Sequence, residues 1–183
     1  MNPWPAAPAA PVAPGARPLR VVVMGVCGSG KSTIGGLLAQ SLGLRFVEGD
    51  ELHPPRNVAL MAAGTALTDE DRAAWLDALA EQLSAAQASG AVLTCSALRR
   101  RYRDRLRVAA PDLRLVHLHG DRACLAARMR RRSGHFMPAS LLSSQLAALE
   151  LPAADEHALV ADIDRPPEQI VGEVCRRLSA SPP

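Results

Sequence analysis

A glycine-rich loop, set between an apolar run and a segment of helical spacing, constrains the fold of this chain more than any other feature. This phosphate loop reads Gly25-Val26-Cys27-Gly28-Ser29-Gly30-Lys31-Ser32 and matches the pattern G-x-x-x-x-G-K-[ST]. Residues 19–24 before it are mostly β-branched and apolar, which predicts a strand buried on both faces. Residues 33–42 after it carry apolar side chains at helical spacing. A strand, a glycine loop and a helix in this order are the context that phosphate binding requires.

Lys31 is the only lysine among the chain's 21 lysine and arginine residues. A lysine in such a loop reaches the β- and γ-phosphates as a compact ammonium on a thin stem, and a planar guanidinium fits that slot poorly. The Ser32 hydroxyl would be a ligand of Mg²⁺. We therefore predict a nucleoside triphosphate site; the alternative is a glycine-rich turn before an ordinary helix. The predicted nucleotide-binding residues of this region are Gly25, Val26, Cys27, Gly28, Ser29, Gly30, Lys31, Ser32 and Thr33.

The composition indicates one soluble globular domain. The chain has 183 residues, of which 48% are hydrophobic and 21% charged, and its formal net charge is +3. Only 3% are aromatic and the arginines are spread along the chain, which disfavours a nucleic-acid partner. No run of about 18 apolar residues occurs, which disfavours a membrane span. The cysteines lack metal-binding spacing and indicate reduced thiols in a cytoplasmic protein.

Residues 1–18 differ in composition from the rest of the chain. Twelve of these 18 residues are proline or alanine, so we expect a disordered, polyproline-like tail without a functional role. The tail has neither the basic start nor the continuous apolar stretch of a secretory signal. Residues 19–179 are predicted to form a single domain.

From residue 19 onward, predicted strands and helices alternate, which is typical of a parallel sheet covered by helices on both faces. Thr68 and Asp71 have the spacing of a capping pair at the start of the longest helix. An arginine-rich stretch at residues 128–135 interrupts the alternation and indicates a flap. Further strands are expected at residues 44–47, 91–95, 113–118 and 159–163, and helices at 55–64, 68–89, 99–109, from 121, at 141–149 and after 167.

Polar residues gather where the predicted strands end. In an open parallel sheet, ligands bind beyond the carboxyl ends of the strands, so these residues are expected along one edge. They are the phosphate loop, Glu48, Asp50, Ser96, Gly120, Asp121, Asp162 and Asp164.

The other motifs narrow the class of phosphate-loop protein. The guanine-binding motif Asn-Lys-x-Asp is absent because the single lysine lies in the phosphate loop, and no apolar strand ends in Asp-Glu as in ATPase motors. Small-molecule kinases instead hold Mg²⁺ partly through acids at other strand ends and place arginines over the transferred phosphate, and this chain has both features. The alternatives are a kinase acting on shikimate or a nucleotide, and an ATP-binding regulator without catalysis.

Beyond the phosphate loop, the chain resembles gluconokinase over nearly all of residues 20–178. The run Gly49-Asp50-Glu51-Leu52-His53-Pro54, with a later Ser96-Ala97-Leu98 and Gly134-His135-Phe136, is far more specific than the loop. Arg99 departs from the family pattern, in which lysine is common, and Cys27 stands where serine or threonine is common. Further shared segments are Asn57-Val58, Met61–Gly64, Leu67–Arg72, Trp75-Leu76, Tyr102-Arg103, Gln145 with Leu149-Glu150, and Val160–Asp164.

The resemblance implies the fold of shikimate and nucleotide kinases. This is a three-layer α/β/α structure with a five-stranded parallel sheet, substrate-binding helices and a small lid at about residues 128–139. It also implies phosphorylation of D-gluconate by ATP and Mg²⁺, giving 6-phospho-D-gluconate and ADP, in a homodimer.

Several charged residues are predicted to act in catalysis. Asp50 would orient the attacking hydroxyl and accept its proton late in a loose phosphoryl transfer; the alternative is a helix-capping aspartate. Glu48 would hold a water bound to Mg²⁺, or be a solvated charge at the strand end. Lys31, Arg128 and Arg132 would neutralise the transferred phosphate, the two arginines as the lid closes.

The substrate side is predicted around Arg72, whose guanidinium would take the gluconate carboxylate; the alternative is a surface arginine paired with Asp69. His53, Arg56 and Asn57 form a polar cluster suited to a polyhydroxylated chain, although His53 alone would also be an ordinary loop residue. The predicted substrate set is completed by Asp50, Ser96, Arg103, His135 and Gln145, and Asp164 and Pro166 are predicted beside the adenine.

Overall fold

The computed structural model describes residues 18–131 and 139–180. Its strands are β1 (Arg20–Met24), β2 (Arg45–Val47), β3 (Ala91–Cys95), β4 (Arg114–His119) and β5 (Leu159–Asp162). They form one parallel sheet in the order β2-β3-β1-β4-β5, with β1 at its centre. This confirms the predicted five-stranded parallel sheet, and each strand lies within one residue of its predicted bounds.

The helices are α1 (Lys31–Leu42), α2 (Pro55–Ala62), α3 (Asp69–Ala85), α4 (Arg100–Ala109), α5 (Arg122–Arg131), α6 (Ala139–Ala148) and α7 (Pro167–Ala180). Two 3₁₀ turns, Gly49–Leu52 and Ala154–Glu156, lie outside the predicted elements. The start of α3 is as predicted: Thr68 Oγ1 accepts from Asp71 N at 3.2 Å, and Asp71 Oδ2 accepts from Thr68 N at 3.0 Å.

Two predicted boundaries differ from the structure by more than two residues. Helix α3 ends at Ala85, before the predicted residue 89, because the chain tightens there into a turn in which Gln87 N donates to Ser84 O. Residues 128–131, predicted to belong to the lid, continue α5 as a helix. The rest of the predicted lid up to residue 138 lies outside the described residues, as does the predicted tail apart from Pro18.

Each face of the sheet has its own apolar core. Along β1, Val21 and Val23 enter one core while Val22 and Met24 enter the other, as the alternation of a strand requires. Helices α1 and α7 cover the first face, and α3 and α4 pack together on the second. The structure therefore has three layers, and within the described ranges no helix is long and apolar enough to cross a membrane.

Candidate active site

The phosphate loop connects β1 to α1 and packs closely against the other elements at that edge of the sheet. Gly25 has φ 148°, and a Cβ there would lie 2.8 Å from the carbonyl oxygen of Leu118 in β4. A Cβ on Gly28, whose φ is 81°, would lie 2.9 Å from the carbonyl oxygen of Leu125 in α5. Only glycine satisfies both the backbone conformation and the close approach at these two positions.

The loop is built to receive an anion. Val26 O accepts from Ser29 N at 3.3 Å and from Lys31 Nζ at 3.3 Å, so the lysine ammonium lies across the loop. Gly30 precedes α1 in the left-handed conformation, and no side chain caps the helix. The first-turn N–H groups of α1 are therefore free of side-chain caps. Together with the partial positive charge of the helix N-terminus, they favour the binding of an anion. This geometry matches the predicted phosphate site.

On the opposite side of the site, β3 fixes the chain that leaves β2. Thr94 Oγ1 donates to the Glu48 carboxylate and accepts from Gly49 N at 2.9 Å. Trp75 Nε1 donates to Gly49 O at 2.7 Å, and a Cβ on Gly49 would overlap the carbonyl of Thr94. Asp50 follows in an exposed position inside the 3₁₀ turn. The capping role considered for Asp50 belongs instead to Glu48, which accepts from Asp50 N.

The end of β3 lies between the predicted catalytic and substrate residues. Burial raises the pKa of the Cys95 thiol to about 12, and the charges of Asp50, Lys31 and Arg72 all act on this thiol. Because Coulomb interactions fade with distance, these three side chains lie within electrostatic range of the strand end. Ser96 follows directly and is buried. Strand β3 lies between β2 and β1 in the parallel sheet, so the segments carrying Asp50, Ser96 and Lys31 leave the sheet at the same edge.

His53 and Asn57 form the buried floor beside Asp50. The His53 ring stacks on Trp75 with centroids 4.1 Å apart, and its Nδ1 lies 3.5 Å from Asn57 Nδ2. Asn57 Nδ2 also donates to Asp71 O at 2.7 Å, which ties α2 to α3. Burial lowers the pKa of His53 to about 4, against the opposing charge of Asp50, so the ring is neutral.

Arg56, the remaining member of the predicted polar cluster, points largely into solvent. Its side chain is 81% exposed and lies 3.5 Å from Asp71 Oδ1. The structure therefore places it at the rim of the cluster that His53 and Asn57 form.

Arg72 is half-buried on the first turn of α3. Among the described residues its guanidinium forms no ion pair or hydrogen bond, and it lies 5.9 Å from the ring centroid of Tyr102. The alternative partner, Asp69, is occupied by Arg99, Arg101 and the Tyr102 hydroxyl. A cavity of about 230 Å³ opens beside Arg72, and its other lining residues are Leu67, Thr68, Asp69, Glu70, Leu98, Arg99, Tyr102 and Ala148.

Arg128 lies beside the phosphate loop. It donates from Nη2 to the carbonyl of Ile163, and its Nη1 lies 3.7 Å from the position of a Cβ on Gly30. Asp164 is exposed next to Ile163, and its N–H donates to Asp162 Oδ1 at 2.9 Å. Pro166 is also exposed, immediately before α7. The predicted site residues Arg132 and His135 lie outside the described residues.

Arg103 differs from the prediction. Its side chain is 1% exposed, and Nε and Nη2 donate to the two carboxylate oxygens of Glu156 at 2.6 and 2.7 Å. Nη1 donates to Ala97 O at 3.1 Å and to Glu150 O at 3.0 Å. Because these bonds use the donors of its guanidinium, Arg103 connects α4 to three other segments of the chain and is not available to a substrate.

Gln145, predicted on the substrate side, makes a contact that was not predicted. Its Oε1 accepts from Cys27 N at 2.7 Å, so it contacts the phosphate loop. Thr94 and Trp75 were not predicted as site residues, although both form hydrogen bonds with Gly49, the residue before Asp50. Thr94 lies two residues before Ser96, and the alternation of β3 was the available signal that both side chains share a face. The Trp75 contact spans two elements and has no signal in the sequence.

Comparisons with known proteins identify the family of this chain. A family model described as shikimate kinase matches residues 27–179. The gluconokinase of Gluconobacter oxydans is 49% identical over 170 residues, which is 91% of this chain and 94% of that protein. The unliganded structure of a sugar kinase from Janibacter sp. has a TM-score of 0.85 at 47% identity, covering 90% of this chain and 96% of that one.

A gluconokinase structure from Sinorhizobium meliloti has a TM-score of 0.82 at 47% identity, covering 88% of this chain and 92% of that one. Family model, sequences and structures thus agree over the domain that contains the site. The chain belongs to the gluconokinase family of phosphate-loop kinases.

Proposed function

We propose that this protein transfers the γ-phosphoryl group of ATP to D-gluconate, giving 6-phospho-D-gluconate and ADP. The observation that carries the proposal is that Lys31, Asp50 and Ser96 follow three adjacent parallel strands at one edge of the sheet, while Arg72 lines a cavity and has no ion pair among the described residues. A phosphate-binding cation, a carboxylate for the hydroxyl and a cation for the substrate carboxylate are what this transfer needs. The family supplies the substrate, since the relatives are named gluconokinases.

The nucleotide would lie along the phosphate loop and α1. The N–H groups of the loop and of the first turn of α1 would bind the phosphates, while Lys31 and Arg128 neutralise charge on the transferred group. Asp164 and Pro166, exposed beside the carbonyl to which Arg128 donates, would border the adenine. Arg132 would join Arg128 as a second cation on the transferred phosphate.

Mg²⁺ fits the donor set of Ser32 and Glu48. Thr94 and Asp50 N donate to Glu48 Oε1, and Oε2 has no partner in the described part of the chain. Ser32 lies on the first turn of α1 with its side chain half-buried. Mg²⁺ keeps several waters and takes few protein ligands, so one hydroxyl and one carboxylate suffice beside the phosphates. When bound, the ion neutralises phosphate charge.

The acceptor would lie between Asp50 and Arg72. Asp50 orients the hydroxyl and takes its proton late, because the transition state is loose. Neutral His53 and buried Ser96 offer hydrogen bonds to a hydroxylated chain, and Asn57 supports His53. Arg56 lies at the rim of this cluster, and His135 would join it on the basis of the family resemblance. Arg72 takes the carboxylate as a charge-assisted pair.

A coupled assay of ADP release tests the proposal. Gluconate, shikimate and nucleoside monophosphates are offered separately with Mg·ATP, and ³¹P NMR identifies the product. We expect turnover with gluconate alone and a phosphate monoester on its terminal hydroxyl. Faster turnover of shikimate or a nucleotide would show that this acceptor, not gluconate, is the substrate. ATP binding without turnover of any acceptor would favour an ATP-binding regulator without catalysis.

We extend the proposal to a cytoplasmic homodimer, as the resemblance implies. Light scattering coupled to size exclusion measures the mass in solution. A mass near 19.4 kDa, that of one chain, would contradict the dimer.

A further inference from the structure

Gln145 joins two elements that are distant in sequence. It lies on α6, half-buried, and its Oε1 accepts from Cys27 N across 118 residues. We propose that Gln145 is a positioning residue that fixes the peptide between Val26 and Cys27 and so sets the shape of the phosphate loop. This role rests on the proposed function only for the identity of the ligand, ATP.

The peptide between Val26 and Cys27 has both of its polar groups in use. Its N–H donates to Gln145, and its carbonyl accepts from Ser29 N and Lys31 Nζ, each at 3.3 Å. A trans peptide is planar, so holding its N–H also fixes the direction of its carbonyl. The glutamine therefore acts on Lys31 through this peptide plane.

Losing the acceptor would be costly at this position. Cys27 is buried in the core that α5 and α6 help to form. A buried N–H without a partner costs about 1–3 kcal/mol. Without Gln145, the loop would turn this peptide to reach another acceptor, and the carbonyl would turn away from Ser29 and Lys31.

The end of helix α6 is hydrogen-bonded to the segment that follows β3. Glu150 N, just beyond α6, donates to Leu98 O at 2.8 Å, and Glu150 Oε2 accepts from Arg100 N at 2.7 Å. Arg103 donates to Glu150 O. Gln145 thus projects from a helix that is bonded to the segment following β3, and it relates the phosphate loop to the segment carrying Ser96.

Replacing Gln145 with methionine tests the proposal, because methionine has a similar length and no comparable acceptor. We expect the Kd for ATP, measured by calorimetry, to rise about tenfold, the value of roughly 1.4 kcal/mol, while the gluconate KM stays within about twofold. Hydrogen exchange of the Cys27 amide in the nucleotide-free protein should accelerate at least about tenfold. The matched control is Gln169→Met, at an exposed position on α7.

Gln145→Glu keeps an acceptor oxygen at the same reach, so its Cys27 amide should exchange as slowly as in the unchanged protein. This variant decides the question even if Gln145→Met does not fold. Unchanged exchange and ATP affinity in Gln145→Met, or fast exchange in Gln145→Glu, would overturn the proposal.

A raised gluconate KM with unchanged ATP affinity would instead make Gln145 a substrate contact, which also overturns it. Calorimetry and amide exchange need no acceptor, so they judge Gln145 even if gluconate proves not to be phosphorylated.

Discussion

Glu48 and Asp50 are carboxylates two residues apart, and they differ in their hydrogen-bond partners and exposure. Thr94 and the N–H of Asp50 hold Glu48, whereas the Asp50 side chain is exposed and has no hydrogen-bond partner among the described residues. The first is a fixed group suited to a metal-bound water, and the second is a charge available to an incoming hydroxyl.

Replacing Asp50 with asparagine should therefore lower kcat and leave binding nearly intact. The amide keeps the size of the side chain and removes the charge that orients the hydroxyl, so we expect kcat to fall about 100-fold with the gluconate KM within about threefold. Steady-state kinetics measures both. The matched control is Glu51→Gln, an exposed neighbour that should retain activity. Equal loss in both variants would mean that local charge, not Asp50 itself, matters.

Replacing Arg72 with alanine should weaken gluconate binding, in contrast to the loss of kcat expected for Asp50→Asn. Its guanidinium lacks an ion pair among the described residues and would contact the carboxylate in both ground and transition states. We expect the gluconate KM to rise at least about tenfold, with the ATP KM little changed. Arg101→Ala is the control, because Arg101 also lies over Tyr102 but pairs with Asp69. A raised ATP KM in Arg72→Ala would place α3 over the nucleotide instead.

At the scale of elements, α4 shows how a basic helix can be a structural anchor. Arg103 and Glu156 are each 1% exposed in their side chains, and Arg107 reaches the same carboxylate at 3.0 Å. Although burial opposes ionisation, hydrogen bonds from Arg103, Ala153 N and Arg107 lower the pKa of Glu156 to about 2. These bonds fasten α4 to the turn before β5.

Arg103→Ala should accordingly destabilise the fold. It leaves Glu156 buried with only part of its partners, so the free energy of unfolding should fall by about 3–5 kcal/mol. Urea denaturation measures the loss, and Arg105→Ala is the control, since its exposed pair with Asp77 contributes at most about 1 kcal/mol. A stable Arg103→Ala protein with a raised gluconate KM would restore the predicted substrate contact.

At the scale of the whole molecule, two buried histidines make stability depend on pH. Burial lowers the pKa of His53 and of His117 to about 4, and for His117 the charges of His119 and Arg103 act in the same direction. In the unfolded chain both would titrate near 6.5. Between pH 6.5 and about 4 the unfolded chain therefore binds more protons, so the free energy of unfolding falls as pH falls.

Urea midpoints at pH 7.5 and pH 5 should show this loss. Glu156 contributes little in this window, because its ordinary pKa of 4.5 lies below pH 5 and its pKa in the fold is lower still. His117→Gln should reduce the difference between the two pH values, whereas His157→Gln, at an exposed position, should leave it unchanged. Equal midpoints at both pH values in the unchanged protein would contradict the burial argument.

The fold was largely predictable because its signals are local. The strands are short apolar runs, Thr68 and Asp71 lie three residues apart, and the glycines of the phosphate loop all fall within residues 25–30. Such features depend on neighbouring residues, so periodicity and spacing determine them. The alternation of strand and helix then leaves few arrangements other than a parallel sheet with its ligands at one edge.

The partners of individual polar side chains depended on the tertiary structure. Arg72 and Arg103 are both arginines on predicted helices, yet Arg72 lines a cavity without an ion pair in the described part of the chain, and Arg103 is buried against Glu156, 53 residues away. Gln145 contacts Cys27 for the same reason, because α6 packs beside the phosphate loop. The sequence alone determined which residue types lie at the carboxyl-end edge of the sheet, where the candidate active site is. Packing between distant segments decided which of them remain available to a ligand and which the protein uses to hold itself together.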